Sequence, residues 1–439
     1  MIPGACKGRV PVFFILMAGC TGLVLEARTQ CRAGDWPGWR GPTGLGFTAE
    51  KHLLLTWGGK KNENVLWKAP LPGSDGKARP DQNQSSPIAW RGRVIVTASF
   101  WPQGADQKDY PEHHVLCFRA SDGKKLWDTE VAPGPWKLTD LRGGYTAPTP
   151  ATDGERIYVL FGSAVLAALD LDGKILWREK INPHPFDVAI GSSPVLYHDT
   201  VIVLGAMADK KESRLMAFDK RTGRLKWETK RPTMGFGHST PVIVEVKGKP
   251  QMIVCASGIG VAADGVVGFD PASGKPLWWC KAAGDAASPA YGAGIVYCDS
   301  GRGGPGVAVD MTGQGDAATT HIRWRVAQVP AGLGSPIIVG GYVYRVHEPG
   351  VLRIWKAVTG EQVAARRLNG VSTWSSPVAD GAGRIYLANA GKTYVIKAGP
   401  KAEVLAVNDL GDDSRASAAV SDGRIFLKGG RFLYCVGKK

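Results

Sequence analysis

A tight turn followed by a tryptophan recurs along this chain at an almost constant interval. The segments CFRASDGKKLWDTE (117–130), AALDLDGKILWREK (167–180), AFDKRTGRLKWETK (217–230) and GFDPASGKPLWWCK (268–281) all carry Gly at the seventh place and Trp at the eleventh. The glycines are Gly123, Gly173, Gly223 and Gly274, and the tryptophans Trp127, Trp177, Trp227 and Trp278. Each segment reads as strand, turn, strand. Asp, Ser or Thr before Gly favours a tight turn, and glycine adopts the positive φ of such turns at little cost. The indole that starts the next strand is large enough to fill a wedge between two neighbouring sheets, with its N–H given to a backbone carbonyl. A single core has no use for one residue at fixed steps, whereas a row of equivalent wedges does.

A second mark runs in parallel. A small polar residue and a proline precede an apolar strand at Pro87, Pro150, Pro194, Pro241, Pro289, Pro336 and Pro377, and RASAAVSDGRIFL reads as an eighth copy with Ala419 at the proline place. After Pro150 the steps are 44, 47, 48, 47, 41 and 42 residues; the first step, 63, is lengthened by the insertion FWPQGADQKDYPEHH (100–114). Periods of this length signal a repeat architecture, and four antiparallel strands per unit, repeated radially, make a β-propeller blade. The spread of 58 Gly and 29 Pro along the chain suits many short strands joined by turns. The sequence therefore predicts an all-β, eight-bladed β-propeller over residues 61–439. The last unit, ending in FLYCVGKK, is one strand short, and ENVLWKAPLPG near the N-terminus supplies the missing outer strand with Trp67, so the N-terminal strand is expected to close the ring. Trp67, Trp127, Trp177, Trp227, Trp278 and Trp324 are expected to dock blades together. Ala364 stands where a Trp is expected, and extra residues precede Trp324, so those wedges are expected to be filled differently.

The first residues read as an export signal, 1–27: Lys7 and Arg9 precede the apolar run VPVFFILMAGCTGLVL, too short for a membrane span. Cleavage after Ala27 or near Ala33 is the preferred ending; the alternative is a lipoprotein signal ending before Cys20, whose lipid would tether the protein to a membrane. Residues 28–60 form a lead-in to the propeller. An exported location in the periplasm or cell envelope follows, and with it no nucleic-acid partner. The formal charge of +15 becomes +14 without Lys7, Arg9 and Glu26, and the cations are dispersed, as on a solvated basic surface; acidic surface glycans are the charged partner to weigh. Eight Cys without a C-x-x-C spacing argue against zinc. Cys255 with Cys280 or Cys298 is a conceivable disulfide in an exported chain, but small buried thiols in strands are the preferred reading.

The turn-and-Trp pattern resembles the tryptophan-docking repeat of the pyrroloquinoline quinone (PQQ) family of propellers, over nearly the whole chain after residue 61. DWPGWRGPTGLG (35–46) looks like the lead-in of exported bacterial proteins with this repeat. The resemblance implies the fold; its marks serve packing, and the family holds both quinoprotein dehydrogenases and non-enzymatic propellers such as the assembly factor BamB. Function then lies in the loops that enter the inner strands and the loops between second and third strands, which are expected to ring one mouth of the central channel. Candidates there are Gln84, Arg142, Tyr145, His238, Asp285, Arg302, His347, Glu348, Trp374, Asn389 and Arg415. A PQQ enzyme of the large alcohol-oxidising kind needs Ca²⁺, for which Asp285 and Asn389 are the only suggestive ligands, and carries adjacent cysteines, which this chain lacks. The expectation is a monomeric, non-enzymatic scaffold without a cofactor that binds envelope or outer-membrane proteins. A quinoprotein dehydrogenase using PQQ with Ca²⁺ is the alternative. Gly391–Thr393 (GKT), the Gly-rich run 258–265, His113–His114 and DLDGK (170–174) fit strand turns and loops better than phosphate, dinucleotide or metal motifs.

Overall fold

The computed structural model describes residues 34–181, 190–205, 213–230, 234, 237–255, 265–281 and 284–438. The export signal, its cleavage points and the lipidation candidate Cys20 lie outside them. Eight sheets are formed, each with four antiparallel strands at its centre, and in all but the last these four come from one stretch of chain. Blade 1 runs from Ile88 to Glu130, blade 2 from Ala151 to Lys180, blade 3 from Val195 to Lys230 and blade 4 from Val242 to Cys280. Blade 5 runs from Ala290 to Ala331, blade 6 from Ile337 to Arg367 and blade 7 from Val378 to Asp409. Blade 8 combines Ala419–Ser421, Arg424–Lys428 and Phe432–Val436 with the N-terminal strand Val65–Pro70. That strand pairs antiparallel with the last one, Trp67 opposite Cys435, which is the closure the sequence predicts.

The wedges are built from one residue of each neighbour. The Trp177 indole of blade 2 donates to Lys220 O of blade 3 at 2.9 Å. Gly223 lies against that ring; its φ is +73°, and a Cβ there would fall 2.8 Å from Trp177 Cε3, so two separate demands select glycine. Trp67, Trp127 and Trp324 repeat the arrangement, donating to Ala120, Leu171 and Ala357 carbonyls of the following blade at 2.8–2.9 Å. Trp227 lies against Gly274 of blade 4, but its buried N–H has no hydrogen-bond partner among the described residues. Trp278 departs from the expected bond: its N–H goes to the Gln251 side chain of its own blade at 2.8 Å. The reason is the insertion that follows Asp310. Its Gly315–Asp316 strand pairs in parallel with Trp278 and Trp279, where the turn of the next blade would otherwise dock. At the wedge with Ala364, Tyr344 of blade 6 takes over, its hydroxyl accepting from Gly399 N of blade 7 at 2.6 Å.

Inside the ring, the polar residue of the second mark has a part its position in the sequence does not announce. Ser86 N donates to Thr149 Oγ1 of the next blade, and the chain of bonds continues through Ser193, Thr240, Ser288, Ser335, Ser376 and Ser417 back to Ser86 Oγ, at 2.8–3.0 Å throughout. Eight hydroxyls, one per blade, thus lace the inner strands into a closed circle. The circle corrects the reading of the eighth copy. Ser417 is the equivalent of Ser376, so Ala418, not Ala419, stands at the proline place; Ala419 pairs with Phe426 as Val378 pairs with Tyr386.

The insertion 100–114 extends a blade 1 hairpin, Arg93–Trp101 with Glu112–Arg119. Trp101 of the insertion is 2% exposed in a small satellite core with Leu138 and Tyr145. Five thiols, Cys117, Cys255, Cys280, Cys298 and Cys435, are free and buried. Cys255 and Cys298, on blades 4 and 5, touch at Sγ–Sγ 2.9 Å.

Candidate functional site

The lead-in decides what the channel is. Trp36 pairs with Ala89 on the inner strand of blade 1, and Thr152 N of blade 2 donates to Pro37 O at 2.7 Å. A few residues later Arg40 Nη2 donates to Pro336 O, just ahead of the blade 6 inner strand, at 2.6 Å, and Thr48 N donates to Ala379 O of blade 7 at 2.9 Å. Blades 2 and 6 face each other across a ring of eight, so residues 37–48 cross the axis and stop one end of the channel. All these contacts fall at or after the proline marks. The loops that precede the marks therefore surround the other end.

The result is a cavity of about 340 Å³ on the axis. Trp39 of the lead-in is at its closed end. Seven of the eight circle hydroxyls (Ser86, Ser193, Thr240, Ser288, Ser335, Ser376 and Ser417) form its wall, and Gln84, Arg142, His238, Arg302, Trp374 and Arg415 its mouth. No Asp or Glu is among the described residues that line it. The Arg415 guanidinium lies 3.9 Å over the Trp374 ring and donates to Arg142 O at 3.1 Å; burial pushes its pKa down, with Asp413 opposing. Gln84 Nε2 donates to the same carbonyl at 2.6 Å. The Arg142 side chain is 81% exposed and held by Asp140. Behind the closed end Arg40 is buried, 5.5 Å from the Trp39 ring centroid. Burial first, and the Arg345 charge second, bring its pKa down to about 9. Its Nε and Nη1 have no partner among the described residues.

Five of the expected rim residues are not in the lining. Tyr145 is 1% exposed in the satellite core, and its hydroxyl accepts from Leu138 N at 3.0 Å. Asn389 is 2% exposed and braces a turn, donating to Asp413 Oδ1 and Ser414 O and accepting from Gly391 N. Asp285 is fully buried behind the mouth, where Arg302 Nε donates to it at 2.5 Å. Burial raises its pKa to about 6 against the pull of Arg302. His347 is likewise buried, beside the Arg345–Asp299 ion pair of the blade interior, and Glu348 is exposed. Trp39, Arg40 and the circle hydroxyls were not among the sequence candidates. The repeated S-P mark contained the hydroxyls, but only as a strand signal.

This donor set does not suit PQQ held with Ca²⁺. Calcium takes six to eight oxygens, with carboxylates prominent among them. Here Asp140 and Asp285 are bonded to the mouth residues Arg142 and Arg302; of their oxygens Asp285 Oδ1 alone is left buried without a partner among the described residues, and Asn389 is spent on a turn. Among the described residues no group of three His, Cys, Asp or Glu stands close enough to hold a metal ion.

Comparison with known proteins agrees on architecture and divides on activity. The family described as outer membrane protein assembly factor BamB matches residues 111–363, more than half of the chain. The solved BamB of Moraxella catarrhalis superposes with a TM-score of 0.57 at 14% identity, covering 85% of this chain and 97% of that one. The quinohemoprotein alcohol dehydrogenase of Comamonas testosteroni superposes with a TM-score of 0.64, also at 14% identity, over 93% of this chain and 82% of that one. These likenesses concern the fold alone. In sequence, the Paracoccus denitrificans protein XoxF, a dehydrogenase by its name, is 32% identical over 171 residues. That match takes in 36% of this chain but only 27% of XoxF.

Proposed function

Because the chain belongs to the family of the outer membrane protein assembly factor BamB, we propose that it is a non-enzymatic, exported propeller that binds a protein partner of the cell envelope at the open mouth of its channel. The observation that carries this reading is the mouth itself. Trp374 under the Arg415 guanidinium, with exposed Arg142 beside it, presents a rigid aromatic and cationic surface braced by backbone bonds. Tryptophan and arginine are the residue types that dominate interface energetics. The test is retention of an envelope protein from solubilised membranes on the immobilised chain. We expect one band lost with both Trp374→Ala and Arg142→Ala; retention unchanged in both variants would place the interface elsewhere.

The partial likeness to XoxF favours a second reading, a PQQ-dependent dehydrogenase. It is tested by adding PQQ and Ca²⁺ and following dye reduction with alcohols and aldoses. Turnover that Asp285→Asn abolishes would overturn the scaffold reading.

A further inference from the structure

We propose that the closed-ended channel cavity is a binding site for a small multivalent anion, one that carries carboxylate or phosphate groups. The inference does not need the scaffold reading: Arg415 and Trp374 serve both, but the wall hydroxyls and the floor serve this one alone, and its test reads small-anion binding rather than retention of a protein.

It rests on where the hydroxyl protons go. A serine or threonine hydroxyl accepts through its oxygen and donates one proton. Each circle hydroxyl accepts the backbone N–H of the neighbouring blade through one of its two lone pairs, so the circle is already complete without its protons. Among the described residues none of the wall hydroxyls has a hydrogen-bond acceptor for its own proton. The cavity wall thus presents a ring of hydroxyl protons, and a buried donor left without a partner is costly. These protons suit the oxygens of an anion; because each hydroxyl keeps a lone pair they would also serve a neutral sugar, so the choice between the two rests on charge.

The surrounding charge has the same sign. Arg415 has no carboxylate within ion-pair distance among the described residues, and it is fixed on Trp374 facing the cavity. Arg40 adds a buried positive charge behind the floor, with its Nε and Nη1 unpaired among the described residues. No carboxylate among the described lining residues opposes them. Fixed donors and a guanidinium in a walled site bind an oxyanion more strongly than the same groups in water do. A planar guanidinium matches carboxylate and phosphate alike, and Trp39 closes the far end with an apolar face.

The test is calorimetric titration of the full chain with citrate, inorganic phosphate and glucose at low salt. Citrate or phosphate is expected to bind at millimolar strength or tighter and glucose not at all. Arg415→Gln should weaken the bound anion by about tenfold, as loss of one charge-assisted contact does, while Arg415→Lys keeps part of the affinity. Arg119→Gln, on an outer turn paired with Asp122, is the control and should change nothing. A melting curve shows that each variant is folded. Absence of heat with both citrate and phosphate would mean that the cavity holds water only and would overturn the proposal. So would equal weakening by Arg415→Gln and Arg119→Gln, which would mark general surface charge. Citrate alone or phosphate alone binding would support the site and identify which anion chemistry it takes.

Discussion

Two buried imidazoles set how the protein should respond to acid. His113 is stacked on Phe161 and meets Ser163 Oγ through Nε2 at 2.9 Å; His347 lies among Arg345, Asp299 and Arg353. Burial, before any neighbour, pushes each pKa down to about 3, against about 6.5 in an unfolded chain. Between those values the unfolded chain binds more protons than the fold. Their contribution is therefore complete above pH 6.5 and lost as pH falls toward 3. Asp285 works in the opposite direction: its carboxyl is raised to about 6, so it favours the fold on the acid side and loses that contribution as pH rises. Glu50, Asp81 and His114 are raised too and act with Asp285, but of these groups the two buried imidazoles are held furthest from their ordinary values, and the urea midpoint should fall between neutral pH and pH about 4.5. The slope should flatten in a His113→Gln, His347→Asn double variant. A midpoint that rises on acidification would show that Asp285 and other carboxyls dominate.

A blade is held by its neighbours as much as by its own ladder. Trp177 belongs to blade 2 yet fills its wedge with Gly223 and Lys220 of blade 3. Its loss removes a large ring and leaves the Lys220 carbonyl without its indole donor. Trp177→Ala should destabilise by roughly 3–5 kcal/mol, the range for aromatic truncation in a core, read from chemical denaturation. An unchanged midpoint would mean that the wedge collapses around the gap. Blade 4 offers the contrast, since its Trp278 is bonded within its own sheet. The same residue type at the same place in the repeat thus serves two different interfaces, according to whether a neighbour's turn is there to receive it.

At the scale of the whole molecule the ring is closed three times. Strand Val65–Pro70 completes blade 8, the hydroxyl circle closes with Ser417 to Ser86 at 2.9 Å, and the lead-in ties blades 1 and 2 to blades 6 and 7 across the axis. Removing residues 61–72 deletes the first closure and exposes the edge of Phe432–Val436. An uncovered edge invites pairing with other chains. The truncated protein should melt earlier and aggregate in light scattering; melting and scattering equal to those of the intact chain would show that the circle and lead-in suffice.

What the sequence determined by itself is the architecture. The Gly and Trp of segments such as AALDLDGKILWREK answer to local demands, a positive φ and a wedge-sized ring, and local demands repeat wherever the blade repeats. Blade number, strand number and closure by the Trp67 strand were legible for that reason. The register of the eighth unit was not, because Ala418 and Ala419 are alike as letters and only the partner of Ser417 tells them apart. The site was half legible. Arg142, His238, Trp374 and Arg415 precede inner strands and Arg302 opens the third strand of blade 5, so they had to come near the mouth, whereas Tyr145, ahead of an inner strand, and Asn389, between the second and third strands of blade 7, turned inward to satisfy backbone groups. The floor belongs to tertiary structure alone. Nothing local in DWPGWRGPTGLG says that it crosses the axis; that follows from contacts such as Arg40 with Pro336, 296 residues apart, which exist only once all the blades have closed.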